Sequence, residues 1–131
     1  MKIKLIYLLS AVFALASAVV AGTAFPDITV DEVKTAISQK TAVILDVNGT
    51  ESWRAGHVPG ALDYFASKEK LASVLPKDKN TLVIAYCGNP RCHAYLAAAE
   101  AAKALGYTNI KHMSAGISGW KQAGAQIEKA E

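Results

Sequence analysis

The two cysteines of the chain stand five positions apart in the run YCGNPRCHAY, residues 86–95, which follows the apolar stretch TLVIA and leads into the alanine-rich LAAAEAAKAL. A strand ending at Tyr86 and a helix beginning near Ala94 would set Cys87 at a strand end, with the backbone amides of Gly88 to His93 converging around it. Those amides, the positive end of the helix dipole and the Arg91 guanidinium all favour negative charge, so they would lower the pKa of the Cys87 thiol and draw an oxyanion toward it. The expected outcome is a nucleophilic thiolate at Cys87. Gly88, Asn89, Pro90, Arg91, Cys92 and His93 then form the anion-binding loop, and Cys92 is a candidate resolving thiol.

The elements that must carry this loop can be read in order. Thr29-Val-Asp-Glu32 has the spacing of a capping box, and EVKTAISQ continues the helix. AVILDV (42–47) is a short apolar strand, ESWRAG a helical turn, and VPGA a type II turn with Pro59 second and Gly60 third. SKEKLASVL predicts an amphipathic helix capped by Ser67, residues 76–80 a turn, TLVIAY (81–86) a buried strand, and AYLAAAEAAKAL (94–105) a helix stopped by Gly106. NIKHM (109–113) and ISGWKQAG supply a last strand and helix. Helices alternate with β-branched strands that show little period-two alternation, as strands covered on both faces do. The fold class is therefore α/β, three-layered, with a central parallel sheet flanked by helices. In such sheets ligands sit beyond the carboxyl ends of the strands, where the Cys87 loop falls.

One domain is expected from 131 residues. Residues 1–24 read as a secretory signal peptide: two lysines, an uncharged run from Leu5 to Ala21, then small residues, with cleavage fitting after Ala18, Ala21 or Ala24. Residues 25–131 form the domain, expected in the periplasm or secreted, with no stable membrane insertion once the leader is removed. Without Lys2 and Lys4 the fourteen basic residues become twelve against eleven acidic, so the chain's basicity is mostly that of its leader. No basic run or aromatic platform points to nucleic acid.

Several separated stretches, in order, resemble the rhodanese-like sulfurtransferase domains. ILDVNGTESWRAGHVPGALD is similar to that family's strand, turn and GH-[IV]-PGA signature, LVIAYC to its active-site strand, and LGYTNIKHMSAGISGW to its closing motifs. The resemblance implies that Cys87 takes sulfane sulfur as a persulfide, from thiosulfate or a related donor, and passes it to a thiophilic acceptor such as a thiol. It implies a buried structural carboxylate at Asp46 and a structural role for His57 in the GHVPGA turn. The expected partners are a small sulfur-containing anion, a thiol acceptor and an exported sulfur or redox protein.

The chain also departs from the family pattern. The common loop is Cys, four residues, Arg, then Ser or Thr; here the fifth position is Cys92 and Arg91 falls one earlier. Asn48 replaces the usual arginine after Asp-Val, and Ser114-Ala115-Gly116 replaces a Gly-Gly ending. The interval from Cys87 to Gly106-Tyr107 is longer than usual, and relatives with enlarged loops include phosphatases and arsenate reductases. Three chemistries thus stay open: sulfur transfer, a dithiol redox or relay role for Cys87 and Cys92, and phosphatase-like or arsenate-reductase-like activity.

Plainer readings accompany these. Two cysteines in an exported chain also suit a structural disulfide. No metal is expected, since Cys87, Cys92 and His93 lack a companion pair and His112 is distant in sequence. His93 is expected to face solvent in the first turn of the helix, His112 to be a surface strand residue, and Arg54 to be solvated. Trp53 and Trp120 are read as core or rim packing. No cofactor is expected, because GxxxxGK[ST], GxGxxG and HExxH are absent.

Overall fold

The computed structural model describes residues 25–131; the leader reading and its cleavage sites lie outside them. The first helix, α1 (Val30–Gln39), starts as its capping box requires: the Thr29 side chain accepts from the Glu32 amide at 3.2 Å and the Glu32 carboxylate accepts from the Thr29 amide at 2.8 Å. The apolar runs become β1 (Ala42–Asp46) and β3 (Leu82–Tyr86), with α2 (Thr50–Ala55) after β1. The GHVPGA turn closes with the Ala61 amide donating to the Val58 carbonyl at 2.9 Å, and Gly60 takes the left-handed φ of +79° that a type II turn demands at its third position.

Between that turn and β3 the chain differs from expectation. A two-residue strand, β2 (Leu62–Asp63), pairs with β1, and the helix begins at once as α3 (Tyr64–Ser67). Asp63 is its cap: one carboxylate oxygen accepts from the Phe65 amide at 3.0 Å, while the other has no partner among the described residues. Ser67 lies at the end of this turn and caps nothing; the chain tightens into a 3-10 turn at Lys68–Lys70 and resumes as α4 (Leu71–Val74). Asp63 caps the helix start four residues earlier, and the Lys68 amide that follows Ser67 is already taken by the Tyr64 carbonyl.

Helix α5 (Tyr95–Ala104), β4 (Ile110–His112) and α6 (Gly116–Gln122) complete the order. The sheet is wholly parallel, in the order β2-β1-β3-β4. Its two faces explain why the strands lack alternation. Leu45, Val83 and Ala85 pack against Tyr64, Leu71 and the buried alanines Ala98, Ala99 and Ala102 of α5. Ile44, Ile84 and Tyr86 pack on the opposite side against Val33 and Ala36 of α1 and Trp120 of α6. Each large apolar side chain so buried stabilises the fold by about 1.5–3 kcal/mol. Among the described residues no helix is long and apolar enough to cross a membrane.

Both ends of the described chain are tied down. Pro26 to Ile28 runs parallel to β4: the His112 amide donates to the Pro26 carbonyl at 2.8 Å and the Ile28 amide to the His112 carbonyl at 2.9 Å. At the other end His57 and Glu128 exchange two backbone bonds of 2.9 Å in an antiparallel bridge.

These contacts correct the reading of His112. Far from lying on the surface, it is buried, its ring stacked on Tyr95 with centroids 3.3 Å apart. Burial lowers its pKa below 6.5, and nearby His93 pushes the same way while Asp27 opposes. A histidine whose folded pKa is depressed contributes stability that is present above the unfolded pKa of about 6.5 and is lost as pH falls through the folded value. The thermal midpoint is expected to fall as pH drops from about 7 to 5. In His112→Phe, which can keep the stack but cannot titrate, this fall should be shallower; equal slopes would remove His112 as its cause.

Candidate active site

Strand order places a switch point between β1 and β3, because β1 connects outward to β2 while β3 connects the other way to β4. The loops leaving these two strands at their carboxyl ends, Val47-Asn48 and Cys87-Gly88, meet there, as ligand sites of open α/β sheets do. The Val47 amide donates to the Tyr86 carbonyl at 2.9 Å, and a Cβ built on Gly88 would lie 3.5 Å from the Asn48 side-chain oxygen.

Beneath the loop is a buried polar chain. Asp46, 1% exposed, accepts from the Asn48 amide at 2.8 Å with one oxygen and from the Tyr86 hydroxyl with the other. That hydroxyl in turn accepts from the Val58 amide at 3.0 Å, which links β1, β3 and the GHVPGA turn. Burial pushes the Asp46 carboxyl above its ordinary range, against the pull of the Tyr86 and Asn48 hydrogen bonds. Burial, then the neighbouring Asp46, pushes the Tyr86 hydroxyl far up, so it stays a donor at any working pH. Tyr86 is the residue before Cys87, and its fixed ring holds the strand end that Cys87 follows. Tyr86→Phe would strand the Val58 N–H and take from Asp46 its hydroxyl donor, at a cost of about 1–3 kcal/mol. Urea unfolding should show this as a lower midpoint at unchanged slope; an unaltered midpoint would mean that the chain carries no net stability.

Above the sheet, Cys87 and Cys92 are joined as a disulfide, with their Cα atoms 6.2 Å apart. Cys87 is 1% exposed and Cys92 half-buried. Asn89 shapes the turn between them: its side-chain oxygen accepts from the Arg91 amide at 2.9 Å and its carbonyl from the Cys92 amide at 3.0 Å. Two amides of the expected cradle are therefore occupied within the loop, and Pro90 has none. The amides of Gly88, Asn89 and His93 find no acceptor among the described residues. Arg91 is exposed and makes no ion pair among the described residues. His93 is exposed, as read, but precedes the helix: α5 begins at Tyr95, and the His93 carbonyl accepts from Leu96 at 3.1 Å.

The loop is pinned from a direction the sequence reading did not anticipate. The second and third amides of α6 are spent on it: Ile117 donates to the Cys87 carbonyl at 2.9 Å and Ser118 to the Gly88 carbonyl at 3.0 Å. Gly116, at φ +64°, lies so close that an added Cβ would come within 2.6 Å of the Gly88 carbonyl carbon and the Asn89 nitrogen. Only the chain's closing motif, with its glycine just before ISGW, hinted at such a contact.

The other singled-out residues stand around this centre. His57 is buried and stacked on Trp53, with Nδ1 2.6 Å from the Trp53 carbonyl and Nε2 3.3 Å from Glu128. Its neighbour Val58 ties it to the site through the Tyr86 hydroxyl. The Trp53 indole donates to the Ala61 carbonyl and that of Trp120 to the Gln126 carbonyl, each at 2.8 Å, and the Arg54 side chain is exposed. Two open clefts, around Phe25 and Tyr107 and around Thr41 and Asn80, lie at the amino ends of the strands, away from the cysteines.

A family profile for the rhodanese-like domain matches residues 29–123. The chain belongs to the rhodanese-like domain family. Solved structures share the fold. A thiosulfate sulfurtransferase from Pseudomonas aeruginosa superposes with a TM-score of 0.64 at 23% identity, over 82% of this chain and 21% of that one. This rhodanese-like chain thus spans about a fifth of that protein's length. A human single-domain sulfurtransferase matches with a TM-score of 0.57 at 21% identity, over 74% of this chain and 96% of the human one. The rhodanese-like domain of the Alr3790 protein from Anabaena sp. matches with a TM-score of 0.65 at 19% identity, over 79% of each chain.

Proposed function

We propose that this rhodanese-like protein is an exported sulfurtransferase that moves sulfane sulfur through a persulfide on Cys87. The observation that carries the proposal is the placement of Cys87 at the carboxyl end of β3 and ahead of α5, at the start of a loop in which the amides of Gly88, Asn89 and His93 have no acceptor among the described residues. Once reduced, the Cys87 thiolate attacks the outer sulfur of thiosulfate. The sulfur–sulfur bond of the donor breaks, and sulfite leaves with its electron pair. The loop amides and the start of α5 stabilise the resulting anionic persulfide. An acceptor thiolate then attacks the outer sulfur and frees Cys87.

A second reading, a dithiol redox or sulfur-relay module, is favoured by the disulfide between Cys87 and Cys92. Such a pair suits the oxidising compartment to which the leader would send the chain. Intact mass separates the two. Reduced, desalted protein given thiosulfate should release sulfite, and the Cys92→Ser form should also keep the transferred sulfur, about 32 Da. Thiol exchange with a dithiol and no sulfite release would favour the relay reading, and hydrolysis of an aryl phosphate would favour the phosphatase one.

A further inference from the structure

The two sulfurs of the disulfide differ in ways that bear on how the site is reset. Cys87 is 1% exposed, at the foot of the loop; Cys92 is half-buried, beyond the Asn89 turn and beside exposed Arg91 and His93. Opening a disulfide needs a thiolate in line with one sulfur, and the reaction is faster when the departing sulfur is the better-stabilised anion. Access selects Cys92 for attack. Departure fits Cys87, which stays at the foot of a loop whose Gly88, Asn89 and His93 amides have no acceptor among the described residues. Both criteria name the same direction. The bond itself shows that Cys92 Sγ can reach Cys87 Sγ without displacing Asp46, Tyr86 or α6.

We propose that Cys92 is the reset thiol of the site: it discharges the Cys87 persulfide as sulfide, and it is the sulfur on which the external reductant then lands. The first half rests on the persulfide reading above, the second on the disulfide alone. In the discharge, Cys92 thiolate forms a bond to Cys87 Sγ, and the bond from Cys87 to the outer sulfur breaks. That sulfur leaves with the electron pair as hydrosulfide. The sulfane sulfur is reduced by two electrons, and the two cysteines are oxidised to the disulfide. A thiolate of a small thiol or a dithiol protein then attacks Cys92 Sγ, giving a mixed disulfide there and a thiolate at Cys87. A second thiol removes the first as its disulfide. Over the cycle, thiosulfate and two thiols give sulfite, hydrogen sulfide and one disulfide.

Arg91 lies between the cysteines, so trypsin separates Cys87 on the peptide 80–91 from Cys92 on the peptide 92–103. Oxidised protein is treated with excess glutathione, quenched in acid with N-ethylmaleimide, and digested. Glutathione is expected on the Cys92 peptide and maleimide on the Cys87 peptide, at least about tenfold over the reverse pattern; a majority of the reverse pattern overturns the proposal. In a second arm, pre-reduced protein receives thiosulfate. The parent should release one equivalent of sulfide and finish as the disulfide. Cys92→Ser, with Cys92→Ala in parallel in case one variant folds poorly, should hold about 32 Da of added sulfur and release roughly a tenth as much sulfide or less. Sulfide release equal to the parent's would overturn the role of Cys92 and leave the persulfide reading standing. No added sulfur and no sulfide from any of the three would bring down both.

Discussion

A Cys87→Ser protein is expected to release sulfite from thiosulfate no faster than buffer does, a fall of about a thousandfold or more, because the group that carries the covalent intermediate has no replacement. Cys92 cannot take over. It lies past the Asn89 turn, whose carbonyl occupies its amide, and not at the strand end. The comparison must be made with reductant present, since serine at 87 also removes the cross-link, and so short a ring is itself worth up to about 2 kcal/mol. Under reduction the parent has no cross-link either, and the two proteins should unfold within about 1 kcal/mol of each other. Cys92→Ser should keep the sulfite-releasing step. If Cys87→Ser retained even a tenth of the parental sulfite release, Cys87 would not be the nucleophile.

Gly116→Ala should be the most damaging small substitution in the chain. Two costs combine there: the left-handed conformation at φ +64°, and a Cβ 2.6 Å from the backbone of Gly88 and Asn89. Backbone atoms cannot rotate aside as a side chain could, so α6 or the Cys87 loop must shift, and the total comes to about 2–5 kcal/mol. Gly124→Ala is the matched control, at φ +68° with nothing within 4 Å of its Cβ, and should lose only the conformational share of about 1–2 kcal/mol. The difference between the two unfolding free energies isolates the close approach. Because α6 is bonded to the loop through Ile117 and Ser118, a shift of either disturbs the site, and Gly116→Ala should also lose tenfold or more in sulfite release, as misplacements of about 1 Å do. Equal behaviour of the two alanine variants would mean that the loop is held by something else.

What could be read from the chain and what could not divides by the range of the forces involved. The Thr29–Glu32 box, the type II turn at Gly60 and the helix over the alanines are decided within a few residues, and each is found where the pattern put it. The parallel sheet was legible in the same way, from apolar runs too uniform to have a wet face. Strand β2 was not, because two residues carry no periodicity; its existence depends on Leu45 and Asp46 lying alongside. Ser67 is a good cap by type and lost to Asp63 only because β2 delivers the chain into the helix four residues sooner. His112 was expected on the surface of its strand, and Tyr95 and the Pro26–Ile28 segment cover it.

At the site, the spacing of Cys87 and Cys92 announced that the sulfurs could meet, and they are bonded. The supports were hidden for the opposite reason. Gly116 is far along the chain from the loop it underlies, and Tyr86 looked like one more apolar strand residue, although a buried tyrosine hydroxyl needs a partner. Asp46 supplies that partner, and its raised pKa has a consequence opposite in sign to that of His112. A carboxyl that holds its proton more tightly when folded favours the fold at acid pH, and that advantage is lost as pH rises from about 4 through the folded value.

The segment Pro26 to Ile28 has one more effect. A parallel sheet with open flanks invites other chains to add strands to it, and β4 would be the inviting side. Here that flank already carries a short cover, which begins with a proline that has no N–H to offer a newcomer. The other flank, β2, is two residues long. Among the described residues, neither border of the sheet offers a long run of free N–H and C=O groups on which a further strand could be templated.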